Sequence, residues 1–127
     1  MLAEIEVTRA AVASDNPVGL VMLRTLYGVV GYVYYIAVAK EFRRQRVAAR
    51  LLDNSLEYFS GLGLKESYAS IEEDNQESAG LFFSRGFSRT SYSEVSSKYG
   101  PLRALNMYRK MLVVPGEILL CLPLAIA

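Results

Sequence analysis

Near residue 40 the spacing of apolar residues changes from the period of a strand to that of a helix. Odd and even positions of Val29–Val38 are both largely apolar, which is typical of a central strand covered on both faces. From Arg43 to Leu62 the apolar residues recur every three or four positions, which predicts an amphipathic helix that ends near Gly61. A buried strand therefore leads through a short polar loop into a helix.

The rest of the chain adds strands on both sides of this junction. Five more segments have the composition or alternation of strands: Glu4–Val12, Val18–Leu26, Ser67–Ile71, Phe87–Val95 and Asn106–Val114. The first two form a meander with Val29–Val38. Asn75 is placed to cap a second helix that runs to about Arg85, and Ser96–Leu105 is predicted to be a loop. The predicted order is β-β-β-α-β-α-β-β, followed by an apolar tail.

Length, charge and composition exclude several functional classes. The 127 residues, 52% of them hydrophobic, suit one domain with a buried core. A net charge of +1 argues against a general nucleic-acid binder. With no histidine and only Cys121, a metal site built on imidazole or thiolate is nearly excluded, and a reducing, cytoplasmic location is the simpler interpretation. The N-terminus lacks the basic start and apolar run of a signal peptide, and the longest apolar tract is about half of a membrane span.

The loop between strand and helix concentrates positive charge. Four arginines lie within eight residues there: Arg43, Arg44, Arg46 and Arg50. The first turn of a helix leaves backbone N–H groups unpaired, and the helix dipole favours an anion at that end. Ala48 and Ala49 would let a ligand approach the backbone closely. The pattern fits a pyrophosphate-like polyanion, and it also fits a solvated basic helix face.

This junction resembles the acetyl-CoA signature of the GNAT superfamily of N-acyltransferases, in which Arg/Gln-x-x-Gly-x-Gly/Ala opens a helix after a strand. The match here is Arg43–Ala48 after Tyr35–Val38. A second family motif has Asn, then Tyr seven residues later and Gly-Phe four residues beyond. It corresponds to Asn75, Phe82 and Gly86-Phe87. Two motifs in order, each on the expected element, extend the resemblance over roughly residues 18–114.

The resemblance implies an α/β fold with a mixed, mostly antiparallel central sheet flanked by helices. It also implies a splayed strand pair that holds acetyl-CoA, with the third strand along the pantetheine arm and the loop and helix start around the pyrophosphate. The cofactor-binding residues implied in this way are Ile36, Ala37, Val38, Arg43, Arg44, Gln45, Arg46, Val47, Ala48, Ala49, Asn75 and Phe82. The implied reaction moves an acetyl group to a primary amine of a protein N-terminus, a lysine or a small molecule.

Four departures from the family pattern keep a second interpretation open. Arg46 stands where the family usually has glycine, and Phe82 where many members have the tyrosine that protonates the leaving thiolate. Ser70 stands where the ribosomal-protein alanine acetyltransferases have a glutamate base. No segment before Glu4 corresponds to the first strand and two helices that roof the acceptor site. The alternative is a GNAT-fold module that binds CoA or a partner without catalysis.

Several side chains are candidates for the missing chemistry. Glu72 shares strand parity with Ser70 and is a better candidate for the base than Glu73, although a solvated strand end that favours the next helix start is the simpler explanation. Three phenols could supply the acid, and the sequence does not choose among Tyr92, Tyr99 and Tyr108.

The remaining candidates are interpreted as packing residues. Tyr34 and Tyr35 are expected in the core beside the thioester, and Cys121 is expected in the core as well. The predicted domain spans 1–114, followed by a hydrophobic tail, 115–127, packed on the sheet or at a dimer interface. The tail could cover the sheet edge left bare by the missing first strand, with Pro123 restricting it to an edge position, or it could pack against a second copy in a homodimer.

Overall fold

An antiparallel meander of three strands begins the first of two units into which the chain divides. This computed structural model describes residues 6–13, 16–43, 46–111 and 113–124. The first unit runs to Ser67 and also takes in Pro123 and Leu124, and the second runs from Tyr68 to Leu122. Strands β1 (Glu6–Ala13), β2 (Asn16–Leu26) and β3 (Val30–Val38) pair in sequence order, which confirms the predicted meander.

Each pairing in the meander contains one extra residue. The β1–β2 register passes from Ala11 opposite Gly19 to Val12 opposite Pro17, so Val18 of β2 is left over. The β2–β3 register passes over Tyr34 of β3 in the same way. Such a bulge reverses the faces to which the following side chains point.

The predicted helix is present as α1 (Val47–Gly61) and packs on the meander in the first unit. Its buried face consists of Leu51, Leu52, Ser55 and Phe59. A Cβ atom added to Gly31 of β3 would lie 2.5 Å from the Phe59 ring, so the missing side chain of Gly31 makes room for that ring. Leu62, expected on the apolar stripe, is 45% exposed because it lies just beyond the end of the helix.

The second unit contains the remaining elements except the first two residues of β4 and the last residue of β6. They are listed in chain order as β4 (Glu66–Glu72), α2 (Gln76–Ser84), β5 (Ser88–Thr90), α3 (Tyr92–Tyr99), α4 (Pro101–Lys110) and β6 (Glu117–Pro123). Strand β4 and helix α2 confirm the prediction. In this unit the strand order is β4-β6-β5, and β5 and β6 are antiparallel.

Two predicted strands are wrong. Of Phe87–Val95 only Ser88–Thr90 is strand, and Asn106–Val114 with the predicted loop before it is largely helical. The Ser91 hydroxyl accepts a hydrogen bond from the Glu94 N–H and so caps α3. Pro101 at the first position of α4 has the backbone angle that a helix start needs.

The apolar tail forms β6, which places Leu119, Leu120 and Cys121 in the core. Pro123 was expected to restrict the tail to a sheet edge, and this is wrong because β6 lies between β4 and β5. Proline is tolerated because it is the last residue of the strand, where a ladder N–H is dispensable.

The six strands belong to a mostly antiparallel sheet with helices on it, which confirms the mixed α/β class. None of the helices in the described part of the chain is long and apolar enough to cross a bilayer.

Candidate functional site

The arginine-rich loop after β3 is hydrogen-bonded to residues at the ends of β2 and β3. The Ala39 N–H donates to the Val18 carbonyl at 2.7 Å, and Lys40–Phe42 form a short 3-10 helix. Arg43 Nε donates to the Val38 carbonyl at 3.3 Å, so this arginine is tied to the last residue of β3. Arg44 and Gln45, which belong to the predicted cofactor set, lie outside the described residues.

Helix α1 begins at an arginine in a backbone conformation that glycine prefers. Arg46 is the N-cap residue, with φ 63° and ψ 19°, and its side chain makes no capping hydrogen bond. The Arg50 N–H donates to the Arg46 carbonyl at 3.0 Å. The N–H groups of Val47, Ala48 and Ala49 precede that bond and remain suited to an anion, beside the exposed Arg46 and Arg50.

The left-handed conformation explains how Arg46 occupies the position of the motif glycine. Glycine adopts positive φ at no steric cost, whereas other residues lose about 1–2 kcal/mol there. Arg46 therefore has the backbone conformation that glycine adopts most easily, and its side chain adds a positive charge at the start of α1.

The second half of β3 is more open than its sequence indicates. Residues 30–33 are buried, but Ile36, Ala37 and Val38 are only half-buried, and Tyr35 is 51% exposed. The prediction that Tyr35 is a core residue is wrong. The bulge at Tyr34 turns the side chains that follow it to the opposite face of the sheet. Met22 and Tyr35 are paired, whereas the buried Leu23 is paired with Val33.

Tyr34, also expected in the core, is half-buried and held by a neighbouring ring and a guanidinium. Its ring stacks on Tyr32 with centroids 6.0 Å apart, and the Arg24 guanidinium lies 5.2 Å from its centroid. The bulged residue is therefore fixed in place by its own strand and by β2. The strand segment that follows it, Ile36–Val38, remains paired with β2 and is half-buried.

In the second unit, Asn75 is the N-cap of α2 and Phe82 lies within this helix. Asn75 Oδ1 accepts from the Ser78 N–H at 3.1 Å, which confirms the predicted cap. Phe82 is 5% exposed, and its ring meets that of Phe87 edge-on, with centroids 5.0 Å apart. The neighbouring Phe83 is 45% exposed. The phenyl group at the position of the family tyrosine is thus a packed residue of this unit.

Glu72 lies in an acidic cleft of the second unit. The cleft has a volume of about 630 Å³ and is lined by Glu72, Glu73, Asp74, Val114, Pro115, Gly116 and Glu117. The Glu73 N–H donates to the Gly116 carbonyl at 2.9 Å and joins its two walls. Glu117 Oε1 accepts from the Val114 N–H at 3.1 Å, which orients one carboxylate.

The sequence did not predict Glu117 as part of this group. It lies 45 residues after Glu72, in a segment interpreted as tail, and no spacing rule links the two. Within β4, Ser70 is half-buried and Glu72 is exposed while Ile71 between them is buried. The predicted shared parity of Ser70 and Glu72 is therefore found.

Two of the three phenol candidates contact each other across α3 and α4. The Tyr92 hydroxyl donates to the Pro101 carbonyl at 2.8 Å, and the rings of Tyr92 and Tyr108 meet edge-on at 5.4 Å. Burial, with the nearby Glu94 and Tyr92, raises the pKa of Tyr108, so its phenol stays protonated at neutral pH.

Cys121 is buried in β6, as expected. Within the described ranges, no cluster of three or more metal-binding side chains occurs.

Comparison with known protein families gives one sequence match. The sequence profile described as "Acetyltransferase (GNAT) family" matches residues 4–87. Among curated proteins, no sequence matches this chain significantly.

Several solved structures have a similar fold. The ribosomal-protein-S18-alanine N-acetyltransferase from Escherichia coli is 16% identical, with a TM-score of 0.71 over 96% of this chain and 71% of its own. The PaiA N-acetyltransferase from Thermoplasma acidophilum, in complex with coenzyme A, is 10% identical, with a TM-score of 0.71 over 93% of this chain. This chain spans only 60% of that protein's length.

A third similar structure is a GNAT family acetyltransferase from Elizabethkingia anophelis with acetyl-CoA bound. It is 17% identical, with a TM-score of 0.70 over 92% of this chain and 75% of its own. Because the sequence identities are only 16%, 10% and 17%, these three similarities show a shared fold and nothing more.

Proposed function

Because this chain belongs to the acetyltransferase (GNAT) family, we propose that it transfers an acetyl group from acetyl-CoA to a primary amine. The observation that carries the proposal is the start of α1. An uncapped helix N-terminus follows a loop tied back to β3, with Arg46 and Arg50 exposed beside it. Unpaired N–H groups, the helix dipole and guanidinium groups all favour a pyrophosphate there.

The donor's pantetheine arm is proposed to run along Ile36–Val38. These residues are half-buried at the end of β3, where an extended ligand can add main-chain hydrogen bonds in the manner of a strand. Val47, Ala48 and Ala49 complete the proposed set in the first unit. In the second unit, Asn75 caps α2 through Oδ1, and the family motif implies a cofactor-binding role for Asn75 and Phe82.

The chemistry requires a neutral amine and a protonated leaving group. The amine nitrogen attacks the thioester carbonyl carbon, the C–N bond forms, and the C–S bond then breaks to release the CoA thiolate. A base must accept the amine proton, and we assign this role to Glu72, which is exposed at the end of β4. The phenyl ring of Phe82 has no proton to give to the thiolate, so water or a tyrosine phenol must protonate it.

The acidic cleft supports a cationic acceptor. Four carboxylates line it together with three uncharged residues, so an amine that carries further positive charge would be attracted. This favours a lysine side chain or a small di- or polyamine over an acidic or neutral acceptor. Glu72 lines this cleft, which supports its proposed role as the base.

Donor binding is tested by calorimetry with acetyl-CoA. Arg50→Ala removes one charge-assisted contact and should weaken binding by roughly one to two decades. Arg109→Ala removes an equally exposed arginine from the end of α4 and should leave the affinity unchanged. Equal affinities for the two variants, with the fold intact, would disprove the assignment of the pyrophosphate site.

Catalysis is tested by thiol release over a panel of amines. We expect turnover with a diamine such as putrescine and a large loss in Glu72→Gln. Glu57→Gln, on the exposed surface of α1, serves as the matched control. Thiol release that is independent of every amine offered would count against the transferase activity.

A second function, acetyl-CoA binding without transfer, is favoured by one observation. Phe82 is packed against Phe87 where a phenol would be needed, and no hydroxyl can act from that ring. Binding with no turnover on any amine would establish this alternative.

A further inference from the structure

The extra residue Tyr34 determines which backbone groups of β3 point away from β2. In an antiparallel pair of strands, hydrogen-bonded and non-hydrogen-bonded residue pairs alternate along the ladder. The Ala39 N–H donates to the Val18 carbonyl at 2.7 Å, and these two residues continue the register beyond the end of β3, so they form a hydrogen-bonded pair. Counted back from there, Ala37 and Tyr35 also belong to hydrogen-bonded pairs and direct their N–H and C=O groups towards β2.

Ile36 and Val38 therefore direct their N–H and C=O groups away from β2. The hydrogen bond from Arg43 Nε to the Val38 carbonyl, 3.3 Å long, agrees with this direction. Without the extra residue, the alternation would be shifted by one position, and the groups that point away from β2 would belong to Tyr35 and Ala37. The bulge therefore selects the main-chain groups that an extended ligand meets along this side of β3.

The ring of the extra residue is held by contacts that reach across three strands. The Arg24 guanidinium of β2 lies 5.2 Å from the centroid of the Tyr34 ring, within the range of a cation–π contact. Arg24 Nε also donates to Glu6 Oε1 of β1 at 2.9 Å, in a salt bridge, so the guanidinium is itself fixed. Tyr32 stacks on the same ring from within β3, with centroids 6.0 Å apart.

The contact between Arg24 and Tyr34 favours the bulge over a regular ladder. In a regular ladder Tyr34 would lie opposite Met22, and Arg24 would be its diagonal neighbour, about 7–8 Å away between Cα atoms. As the extra residue, Tyr34 lies between the partners of Met22 and Leu23, and so it lies nearer to Arg24. The attraction between the guanidinium and the ring is therefore stronger in the bulged register.

We propose that Arg24 is a positioning residue for the acetyl-CoA site and acts through Tyr34. By holding the Tyr34 ring, Arg24 stabilises the bulge. The bulge in turn directs the main-chain groups of Ile36 and Val38 at the pantetheine arm. This role rests on the proposed function, since it requires the arm to run along Ile36–Val38.

The first test measures acetyl-CoA affinity by calorimetry. Arg24→Met removes the guanidinium but keeps a side chain of similar length, and it should weaken binding about fivefold. Arg24→Lys keeps a cation beside the ring and should recover most of that loss. Tyr34→Phe keeps the ring, on which both the cation–π contact and the stacking depend, and should bind as the wild type does.

Arg9→Met is the matched control for a purely structural role. Arg9 of β1 also makes a cation–π contact, 4.6 Å from the centroid of the Tyr58 ring, but this contact joins β1 to α1. Arg9→Met and Arg24→Met should therefore lower the melting temperature to a similar degree, whereas only Arg24→Met should lose affinity. An Arg24→Met variant that is less stable but binds acetyl-CoA as tightly as the wild type would overturn the proposal.

The second test follows amide hydrogen exchange along β3 by NMR. Acetyl-CoA should slow exchange most at the Ile36 and Val38 N–H groups, because those of Tyr35 and Ala37 are already bonded to β2. Arg24→Met should reduce this difference. Slowing at Tyr35 and Ala37 instead would overturn the proposal, because the ligand would then meet the other set of groups.

The two proposals fail in different ways. A wild-type protein that does not bind acetyl-CoA would disprove the proposed function and the role of Arg24 with it. A wild-type protein that binds acetyl-CoA no better than Arg24→Met would leave the proposed function standing and overturn the positioning role alone.

Discussion

At Arg46 the backbone conformation and the side chain have separate effects on the protein. Its left-handed backbone is strained for any residue with a Cβ atom, while its guanidinium adds charge at the start of α1. The two effects can be separated, because glycine removes both the strain and the charge whereas alanine removes only the charge.

We expect Arg46→Gly to be more stable than Arg46→Ala by about 1 kcal/mol in the free energy of unfolding. The measurement is urea denaturation of the two variants. Both lack the guanidinium and should lose acetyl-CoA affinity to a similar degree. If the glycine variant were no more stable than the alanine variant, the left-handed conformation of Arg46 would be wrong.

The Phe82→Tyr substitution tests whether the site lacks the acid that would protonate the leaving thiolate, because it adds a phenol hydroxyl at this position. If the site is active but lacks its acid, Phe82→Tyr should raise turnover, by at most the roughly 10²–10⁴-fold ascribed to a general acid. The melting temperature should fall, because a hydroxyl in this buried position costs about 1–3 kcal/mol when unpaired.

Phe83→Tyr is the matched control for that change. The same oxygen is added one residue along α2 on a ring that is 45% exposed, so neither turnover nor stability should change. A fall in turnover of Phe82→Tyr at unchanged stability would show that the pocket is shaped around phenylalanine and that another donor acts.

At the scale of elements, the contact between α1 and β3 depends on the absence of one side chain. Gly31→Ala would place a Cβ atom 2.5 Å from the Phe59 ring, which must then shift. We expect a loss of about 1–3 kcal/mol in the free energy of unfolding, measured by denaturant titration.

Gly80→Ala provides the comparison, because nothing lies within 4 Å of a Cβ atom at this position in α2. Alanine there should stabilise by up to about 1 kcal/mol through its helix propensity. Stabilisation by both changes would contradict the close packing of Phe59 on Gly31.

The elements up to α2 could be predicted because each has a local signal. The strands of the meander, the apolar stripe of α1 and the Asn75 cap all lie within short windows of sequence. Beyond Phe87 the local signals for helix and strand conflict, because the spacing of apolar and aromatic residues there fits a strand as well as a helix. The capping pair Ser91 and Glu94 and the Gly100-Pro101 start were the decisive local signals for α3 and α4, and they outweigh the β-propensity of the segment.

The site was only partly predictable for a related reason. The arginine loop and Asn75 follow from contiguous motifs, whereas the acidic cleft depends on Glu72 and Glu117 meeting through the fold of the second unit. The exposure of Tyr35 could not be predicted from the sequence either. The bulged residue Tyr34 shifts by one position the alternation of buried and exposed side chains along β3.

At the scale of the whole molecule, the last strand supplies part of the core. Leu120 of β6 is fully buried, so Leu120→Ala should lower the free energy of unfolding by about 2–5 kcal/mol. The measurement is thermal and urea denaturation. Leu102→Ala removes the same atoms from a residue that is 83% exposed and should cost almost nothing.

A similar melting temperature for the two leucine variants would show that β6 does not belong to the core. Deletion of Glu117–Ala127 should have the larger effect of exposing the partners of β6, with aggregation or unfolding as the outcome. A soluble monomer of unchanged melting temperature after that deletion would contradict the placement of β6.

The position of β6 between β4 and β5 has a consequence for the order of folding events. The meander of the first unit closes through contacts between neighbours in the sequence, which form quickly. In the second unit β6 lies between β4 and β5 and follows both of them in the chain, so their sheet can close only after β6 has been made. During translation the meander therefore gains its structure early, while the unit that carries the acidic cleft remains incomplete until β6 has left the ribosome.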